Sequence, residues 1–352
     1  MSPPDLPRGP SRRRRRVGGR GRIVLITALV VVFVLAVSLR EIAGVYTDYL
    51  WFESLDLVSV WQTVAGTQIA LVGFFTGLAF LLVWANLAVA DRLSARSLRA
   101  ATAPDDEIVV RYRELVGQRS RVVRAGVAGL VALIAGGGAA TQWQSWVLFR
   151  HRQDFGIDDA TFGVDVGFYV FQLPFLRFVT GWLFSTLLVV LLVTALVHYL
   201  NGGIRTQATG DRVASPVKAH LSLLLAALAL VRAAQYLLDR YDLVYSSRGP
   251  VDGATYTDVN VQLRAIHLLV LIALFATGLF IANIWRRGWV LPVMAVGLWG
   301  LVALLAGEAI PAFVQRFRVE PDKAALEQPY ICLLYTSPSP RDISGSRMPS
   351  SA

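Results

Sequence analysis

The chain has 352 residues, of which 55% are hydrophobic and only 16% are charged, and its mean hydropathy is +0.53. This composition excludes an ordinary soluble domain and is typical of an integral membrane protein. The formal net charge of +10 would suit a nucleic-acid-binding protein, but residues 1–22 carry +7 of it and residues 332–352 carry +1. Since the rest of the chain is nearly neutral and has no aromatic-rich basic face, we predict no nucleic-acid partner.

A basic tail precedes the first apolar stretch. Residues 1–22 are rich in Pro, Gly and Arg, cannot build a hydrophobic core, and are predicted to be disordered. Five consecutive arginines stand in this tail, just ahead of the apolar stretch: Arg12, Arg13, Arg14, Arg15 and Arg16. Such a block keeps its end of a helix in the cytoplasm and binds anionic lipid headgroups. We therefore expect residues 23–39 to cross the membrane with a cytoplasmic N-terminus.

Six more apolar stretches are long enough to cross a bilayer. They lie at residues 62–90, 125–141, 177–200, 218–238, 263–285 and 289–306. The predicted fold class is an all-α integral membrane protein, a bundle of seven transmembrane helices with a cytoplasmic N-terminus and an extracytoplasmic C-terminus.

The distribution of positive charge supports this orientation. The four segments predicted to lie inside hold 8, 8, 3 and 2 Lys or Arg, 21 in all, whereas the three closed outside loops hold 1, 2 and 2, which makes 5. Short cytoplasmic loops carry such an excess of Lys and Arg in membrane proteins. The plasma membrane is the predicted location.

Small residues in two spans favour close helix packing. Gly73 and Gly77 lie four residues apart on one face of the second span, a pattern that lets two helices approach closely. The third span contains three consecutive glycines, Gly136 to Gly138, with the same potential. We predict that Gly73 and Gly77 form a helix-packing contact within the bundle.

Three segments flanking the apolar cores carry distinctive motifs. FGVDVGFYVFQLPF occupies residues 162–175, GATYTDVN occupies residues 253–260, and PAFVQRFRVEP at residues 311–321 is followed by PYI at residues 329–331. Their order resembles uncharacterised protein family 0182, multi-span membrane proteins of actinobacteria and cyanobacteria. A count of 32 Arg against two Lys also suits an actinobacterial, GC-rich genome.

The resemblance implies a seven-span region followed by a large extracytoplasmic domain whose biochemical activity is not established. On this basis residues 307–331 are expected to begin that domain. The sequence then departs from the family pattern, because residues 332–352 resemble translated sequencing-adaptor sequence and are predicted not to be native or to contribute to the fold. Arg264 stands where the family pattern has proline.

No residue set dictates a reaction. Asp154, Asp158 and Asp165 have the spacing of positions one, five and twelve of a calcium loop, but Gly156 and Asp159 occupy positions three and six, so a solvated acidic loop is favoured. Metalloprotease, α/β-hydrolase and P-loop signatures are missing from the sequence. We therefore expect no enzymatic activity, no catalytic residues, no cofactor and no bound metal.

A few polar residues fall within the spans. His198 and His267 lie near span ends, where each could relay protons, but a boundary histidine facing headgroups is favoured. Asn86 and Asn283 are predicted to cap a helix or to bond between helices.

Arg232 is the one charge well inside a span, seven residues before the predicted outer boundary at Asp239, which corresponds to a depth of about 10 Å. An intramembrane charge requires a partner, and we predict an ion pair with Glu308 at the outer end of the seventh span. Snorkelling of Arg232 to a lipid phosphate is the alternative.

Two classes of function remain. The favoured one is a membrane anchor or envelope-assembly component whose bundle carries an extracytoplasmic domain. The alternative is a transporter or channel subunit, which needs polar groups along a path through the membrane. The spans offer only mild candidates for that path: Gln68, Thr76, Thr186 and Thr277. The predicted partner is the lipid bilayer, with anionic lipids at the basic tail.

Overall fold

The structure is a computed structural model that describes residues 19–98, 120–204, 213–249, 253–286 and 288–334. Arg12, Arg13, Arg14, Arg15 and Arg16 lie outside these ranges, as does most of the tail predicted to be non-native. Within the described part of the chain the structure is helical, and strand-like pairing is confined to isolated bridges between Asp158 and Asp165 and between Ile204 and Val213.

Seven helical segments are long and apolar enough to cross a membrane. We number them spans 1 to 7: Thr27–Ser54, Val58–Leu93, Arg121–Arg150, Phe168–Leu200, Ser215–Tyr245, Asp258–Arg286 and Val290–Asp322. The predicted all-α, seven-span fold is thereby confirmed, while its orientation in the membrane stays a prediction. Each span is longer than the apolar run that predicted it, because aromatic and polar residues at the bilayer boundary continue the helical hydrogen bonding.

Spans 1, 2, 5 and 6 are simple helices with short extensions. Their α-helices are Gly19–Ser54, Val58–Leu98, Ser215–Asp239 and Leu263–Arg286. A 3-10 turn, Arg240–Tyr245, extends span 5, and a π-helical turn, Asp258–Gln262, precedes span 6.

Spans 3, 4 and 7 change helix type along their length. Span 3 consists of the α-helix Ser120–Gly137, the 3-10 turn Gly138–Gln142 and the α-helix Trp143–Arg150. Span 4 consists of the π-helical turn Phe168–Gln172 and the α-helix Leu173–Leu200. Span 7 consists of Val290–Val302 (α), Ala303–Ala309 (π), Ile310–Val314 (α), Gln315–Val319 (π) and Glu320–Asp322 (3-10), and the α-helix Lys323–Leu334 follows it.

The chain divides after Gly66 into two compact units. The first contains span 1, which turns into span 2 through Asp56 in the left-handed region (φ 57°), and the rings of Tyr49 and Trp61 meet edge to face at 5.2 Å. In the second unit, the rest of span 2 and spans 3 to 7 bury small and branched side chains, among them Val83, Val190 and Leu224. Large apolar side chains cover its surface, as expected of a surface that faces lipid.

The closest helix–helix contact at a glycine involves Gly136 of span 3. A Cβ atom placed on Gly136 would lie 2.6 Å from the backbone N of Thr76 and 2.7 Å from its Cα, so only glycine fits there. Gly73 and Gly77 instead lie on an exposed face of span 2, and a Cβ atom on either would meet nothing within 4 Å. The predicted contact at Gly73 and Gly77 is therefore not made within the described chain, because span 2 turns the face of Thr76 towards span 3.

Candidate functional site

The three sequence motifs meet at one end of the bundle, which we call the outer end after the predicted orientation. Phe162 of the first motif and Ala254 of the second pack against the same buried cluster, which includes Tyr236, Leu243 and Ile266. Each motif also runs into or contains a π-helical turn, at Phe168–Gln172, Asp258–Gln262 and Gln315–Val319. Such turns are rare in α-helices and frequent at functional sites.

Asp258 organises the second motif. Its side chain is 1% exposed. Oδ2 accepts hydrogen bonds from the backbone N–H of Thr255 (3.2 Å) and from its hydroxyl (3.0 Å), and Oδ1 accepts one from Nη1 of Arg248 (3.1 Å). Because a buried carboxylate needs both charge and hydrogen-bond partners, these three donors fix the loop before span 6.

The fixed loop holds the segment that follows residue 306, where the apolar stretch of span 7 ends. The Thr257 hydroxyl donates to Gln315 Oε1 (2.5 Å), Asn260 Nδ2 donates to the Tyr330 hydroxyl (2.8 Å), and the Tyr256 backbone N–H donates to Glu327 Oε2 (3.2 Å). We call this set the outer clamp: Thr255, Tyr256, Thr257, Asp258, Asn260, Gln315, Glu327 and Tyr330. The clamp joins the second and third motifs through side chains that are distant in sequence.

Glu327 is the most unusual member of the clamp. It is 1% exposed, and its second carboxylate oxygen, Oε1, is buried without a hydrogen-bond partner among the described residues. Burying a carboxylate in this way costs stability, so the packing around it must compensate. Nothing in the sequence distinguishes Glu327 from an ordinary surface acid, and its role emerges only from the fold.

Two aspartates in and just before the first motif shape the loop there. Asp165 accepts backbone N–H groups from Phe155 (3.0 Å), Gly156 (2.8 Å) and Gly167 (2.6 Å), and Asp159 accepts those of Thr161 and Phe162. Gly156, with φ of +70°, supplies the left-handed conformation that the turn requires. Within the described residues no group of three or more His, Cys, Asp or Glu side chains could hold a metal ion.

The backbone donors also affect protonation of Asp165. The N–H of Phe155 first, and those of Gly167 and Gly156, lower the pKa of Asp165 below its ordinary value of 3.8. A carboxylate whose pKa is lowered by folding stabilises the loop above its unfolded pKa, and the contribution is lost as the pH falls through the folded pKa. We expect the loop at residues 153–168 to loosen below about pH 4.

Hydrogen exchange of this loop, corrected for the intrinsic effect of pH on exchange, measures that loss. Asp165→Asn should expose the backbone amides of Phe155 and Gly156 already at neutral pH and remove the acid transition. Asp154→Asn is the matched control, because Asp154 is exposed in the same loop. An acid transition that persists in Asp165→Asn would contradict the assignment.

The structure does not bring Arg232 and Glu308 together. The Arg232 guanidinium donates to Gln235 Oε1 (2.9 Å), lies 3.9 Å from Asp239 Oδ2 and stacks over the Tyr236 ring at 4.1 Å from its centroid. Glu308 is exposed on span 7. Arg232 instead approaches Asp239 on its own helix, because residues seven apart lie on one helical face.

At the opposite end of the bundle, three polar side chains form a chain across spans 2, 5 and 4. Asn86 Oδ1 lies 3.2 Å from His220 Nε2, and His220 Nδ1 lies 3.1 Å from His198 Nε2. Since Asn86 Nδ2 donates to the Leu82 carbonyl (2.7 Å), Oδ1 must accept. In the neutral pair, His220 therefore carries its proton on Nε2 and His198 donates from Nε2.

This arrangement corrects one prediction and agrees with others. His198 is 0% exposed, so the expectation that it faces lipid headgroups is wrong, whereas His267 is exposed on span 6. Asn86 bonds between helices as predicted, and so does Asn283, whose Nδ2 donates to the Ser222 hydroxyl (2.8 Å). A signal for the histidine pair was present in the sequence, since His198 and His220 each stand two residues from the inner boundary predicted for their spans.

Comparison with known proteins identifies the family. The sequence profile of the uncharacterised protein family UPF0182 matches residues 25–333. The chain belongs to this family. The resemblance to this family, which the order of the three motifs indicated from the sequence, is thereby confirmed.

Several curated UPF0182 proteins of actinobacteria are similar over most of the chain. One from Frankia casuarinae is 40% identical over 90% of this chain, one from Nocardioides sp. is 37% identical over 93%, and one from Streptomyces coelicolor is 38% identical over 92%. The matched part is 31%, 32% and 33% of these relatives, so the chain spans about a third of their length. No solved structure matches the chain.

Proposed function

We propose that this UPF0182 chain is a plasma-membrane anchor whose outer clamp holds the polypeptide that follows span 7 in a fixed position at the extracytoplasmic face. Under this proposal it is not an enzyme, it binds no nucleic acid, and its partner is the lipid bilayer. The seven apolar spans make it a multi-pass membrane protein. The proposed role in assembling the cell envelope goes beyond membrane insertion, and the outer clamp is the feature that supports it.

The observation that carries the proposal is the set of bonds from the loop before span 6 to residues beyond the membrane part of span 7. The bonds Thr257–Gln315, Tyr256–Glu327 and Asn260–Tyr330 are spread over the sixteen residues 315–330 of the outgoing chain. A flexible connection would need none of these bonds, whereas a rigid exit defines the direction of whatever follows. The matched segment is about a third of such a relative, so a rigid exit would orient the remaining part of a chain of that length.

The proposal requires the clamp to lie outside the cell. In a Cys332→Ser background, which removes the only cysteine, a cysteine replacing exposed Asp322 should react with a membrane-impermeant maleimide in intact cells. A cysteine at residue 110, in the loop predicted to be cytoplasmic, should react only after the cells are opened. Labelling of residue 110 in intact cells would overturn both the orientation and the anchor.

The clamp itself can be tested by limited trypsin digestion at Arg318 and Lys323 in membranes. Thr257→Val with Asn260→Ala removes two hydrogen bonds to the exit of about 1 kcal/mol each, so cleavage should speed up by about thirtyfold. Thr180→Val is the matched control, because the Thr180 hydroxyl bonds only to carbonyls of its own helix. Equal cleavage in the double variant and in the wild type would mean that the clamp does not hold the exit.

A transporter or channel subunit is the second candidate, and the buried Asn86–His220–His198 chain favours it. Ionisable side chains inside a membrane often mark proton or ion pathways. Proton flux into proteoliposomes, followed with an enclosed pH-sensitive dye, should then disappear in His198→Gln. Flux no faster than in empty vesicles would leave the anchor as the function.

A further inference from the structure

A cavity lies between spans 4, 5, 6 and 7, separate from the outer clamp and from the histidine pair. Its volume is about 220 Å³. Leu191 and Leu225 lie at its deep end with Phe280, and Trp299 and Arg232 lie nearer the outer end. Arg232 and Leu225 are seven residues apart on span 5, so the cavity extends over about 10 Å along the bundle.

The cavity is open to the lipid on one side. Leu188 of span 4 and Val296 of span 7 both line it, and both side chains are exposed, at 41% and 47%. These two residues therefore mark the side on which the cavity meets the surrounding bilayer. An apolar space at this depth and open to hydrocarbon suits an acyl chain.

Arg232 is the charged residue among the described side chains that line the cavity, and it stands at the outer end. Its contacts to Gln235 and Asp239 both use Nη1, and a guanidinium has five N–H donors, so donors remain for another acceptor. Its side chain is 33% exposed. A guanidinium pairs well with a phosphate, because two parallel N–H groups match two oxygens.

The surrounding charges leave a positive balance at this height. Arg177 pairs with Asp242, Arg232 approaches Asp239, and Arg240 donates to the Tyr241 hydroxyl. With Arg264 and Glu308 at the outer ends of spans 6 and 7, four arginines stand against three acids and leave one positive charge. An anion at the outer end of the cavity would be attracted, since charge interactions strengthen where the bilayer excludes water.

We propose that the cavity binds one anionic glycerophospholipid, with an acyl chain between spans 4 and 7 and its phosphate on Arg232. The two ends of the cavity match the two ends of such a lipid. Free phosphate would contact only the guanidinium of Arg232, and an uncharged lipid would contact only the apolar walls of the cavity. The site is distinct from the lipid contacts predicted for the N-terminal arginines.

Native mass spectrometry of the purified chain tests the proposal with phosphatidylglycerol and with diacylglycerol of the same acyl chains, which lacks the phosphate. Half-occupancy of one site should need about a tenfold lower concentration of phosphatidylglycerol than of the lipid without phosphate. This is the effect expected of one charge-assisted hydrogen bond. Arg232→Gln should abolish this preference, and Arg232→Lys should keep most of it. Leu188→Trp, at the exposed opening, should weaken binding of both lipids.

Arg264→Gln is the matched control, because Arg264 is an exposed arginine at the outer start of span 6. It should leave the preference unchanged, and circular dichroism should show that each variant is folded. Glycerol phosphate should not displace the lipid. Full preference in Arg232→Gln, displacement by glycerol phosphate, or loss of the preference in Arg264→Gln would each overturn the proposal.

Discussion

Gly136→Val is expected to destabilise the bundle by about 3 kcal/mol, the upper part of the range for overpacking a tight contact. The added Cβ would lie 2.6 Å from the Thr76 backbone N, and a backbone cannot rotate away as a flexible side chain can. Spans 2 and 3 would have to separate, which would weaken the packing of Ala128 of span 3 with Val83 of span 2. The free energy of unfolding in mixed detergent micelles measures the loss.

Gly137→Val is the matched control for this substitution. It changes helix propensity in the same way at the neighbouring position, but a Cβ atom on Gly137 meets nothing within 4 Å. The difference between the two variants therefore isolates the contact with Thr76. Equal losses in both would show that propensity, and not close packing, explains the effect.

Asp258→Asn should cost about 2–3 kcal/mol, because the amide cannot accept at both of its ends. If the NH2 group of the new Asn points to Thr255, it faces another donor, the Thr255 backbone N–H. If the NH2 group points the other way, it faces the guanidinium of Arg248, which is also a donor. Either orientation leaves a donor unpaired at a site that is 1% exposed. The Arg248 ion pair adds little by itself, since that side chain is 35% exposed.

Thermal unfolding and hydrogen exchange at the Thr255 amide measure this loss together. Asp322→Asn makes the same chemical change at an exposed acid near the clamp and should be close to neutral. If Asp258→Asn leaves the Thr255 amide as protected as in the wild type, Asp258 does not organise the loop. Loss of protection with an intact bundle would identify the clamp as a locally stable unit.

The clamp is also the part of the molecule that the sequence indicated only indirectly. Its two motifs were recognisable, but nothing in them predicts that Asn260 meets Tyr330 or that Glu327 is buried. These pairs join residues about seventy positions apart. Such contacts depend on where the exit of span 7 lies relative to the loop before span 6, which is a property of the packed bundle.

The sequence by itself determined the seven spans, because the length and hydropathy of a transmembrane helix are local properties fixed by the thickness of the bilayer. It also predicted that Asn86 and Asn283 cap a helix or bond between helices, since a buried amide in lipid needs a partner. Tertiary structure decided which partner each side chain takes. Arg232 meets Asp239, His198 meets His220, and Gly136 carries the close contact that was expected at Gly73 and Gly77. The physical reason is that these choices depend on the rotation of each helix about its own axis, which its neighbours set through packing.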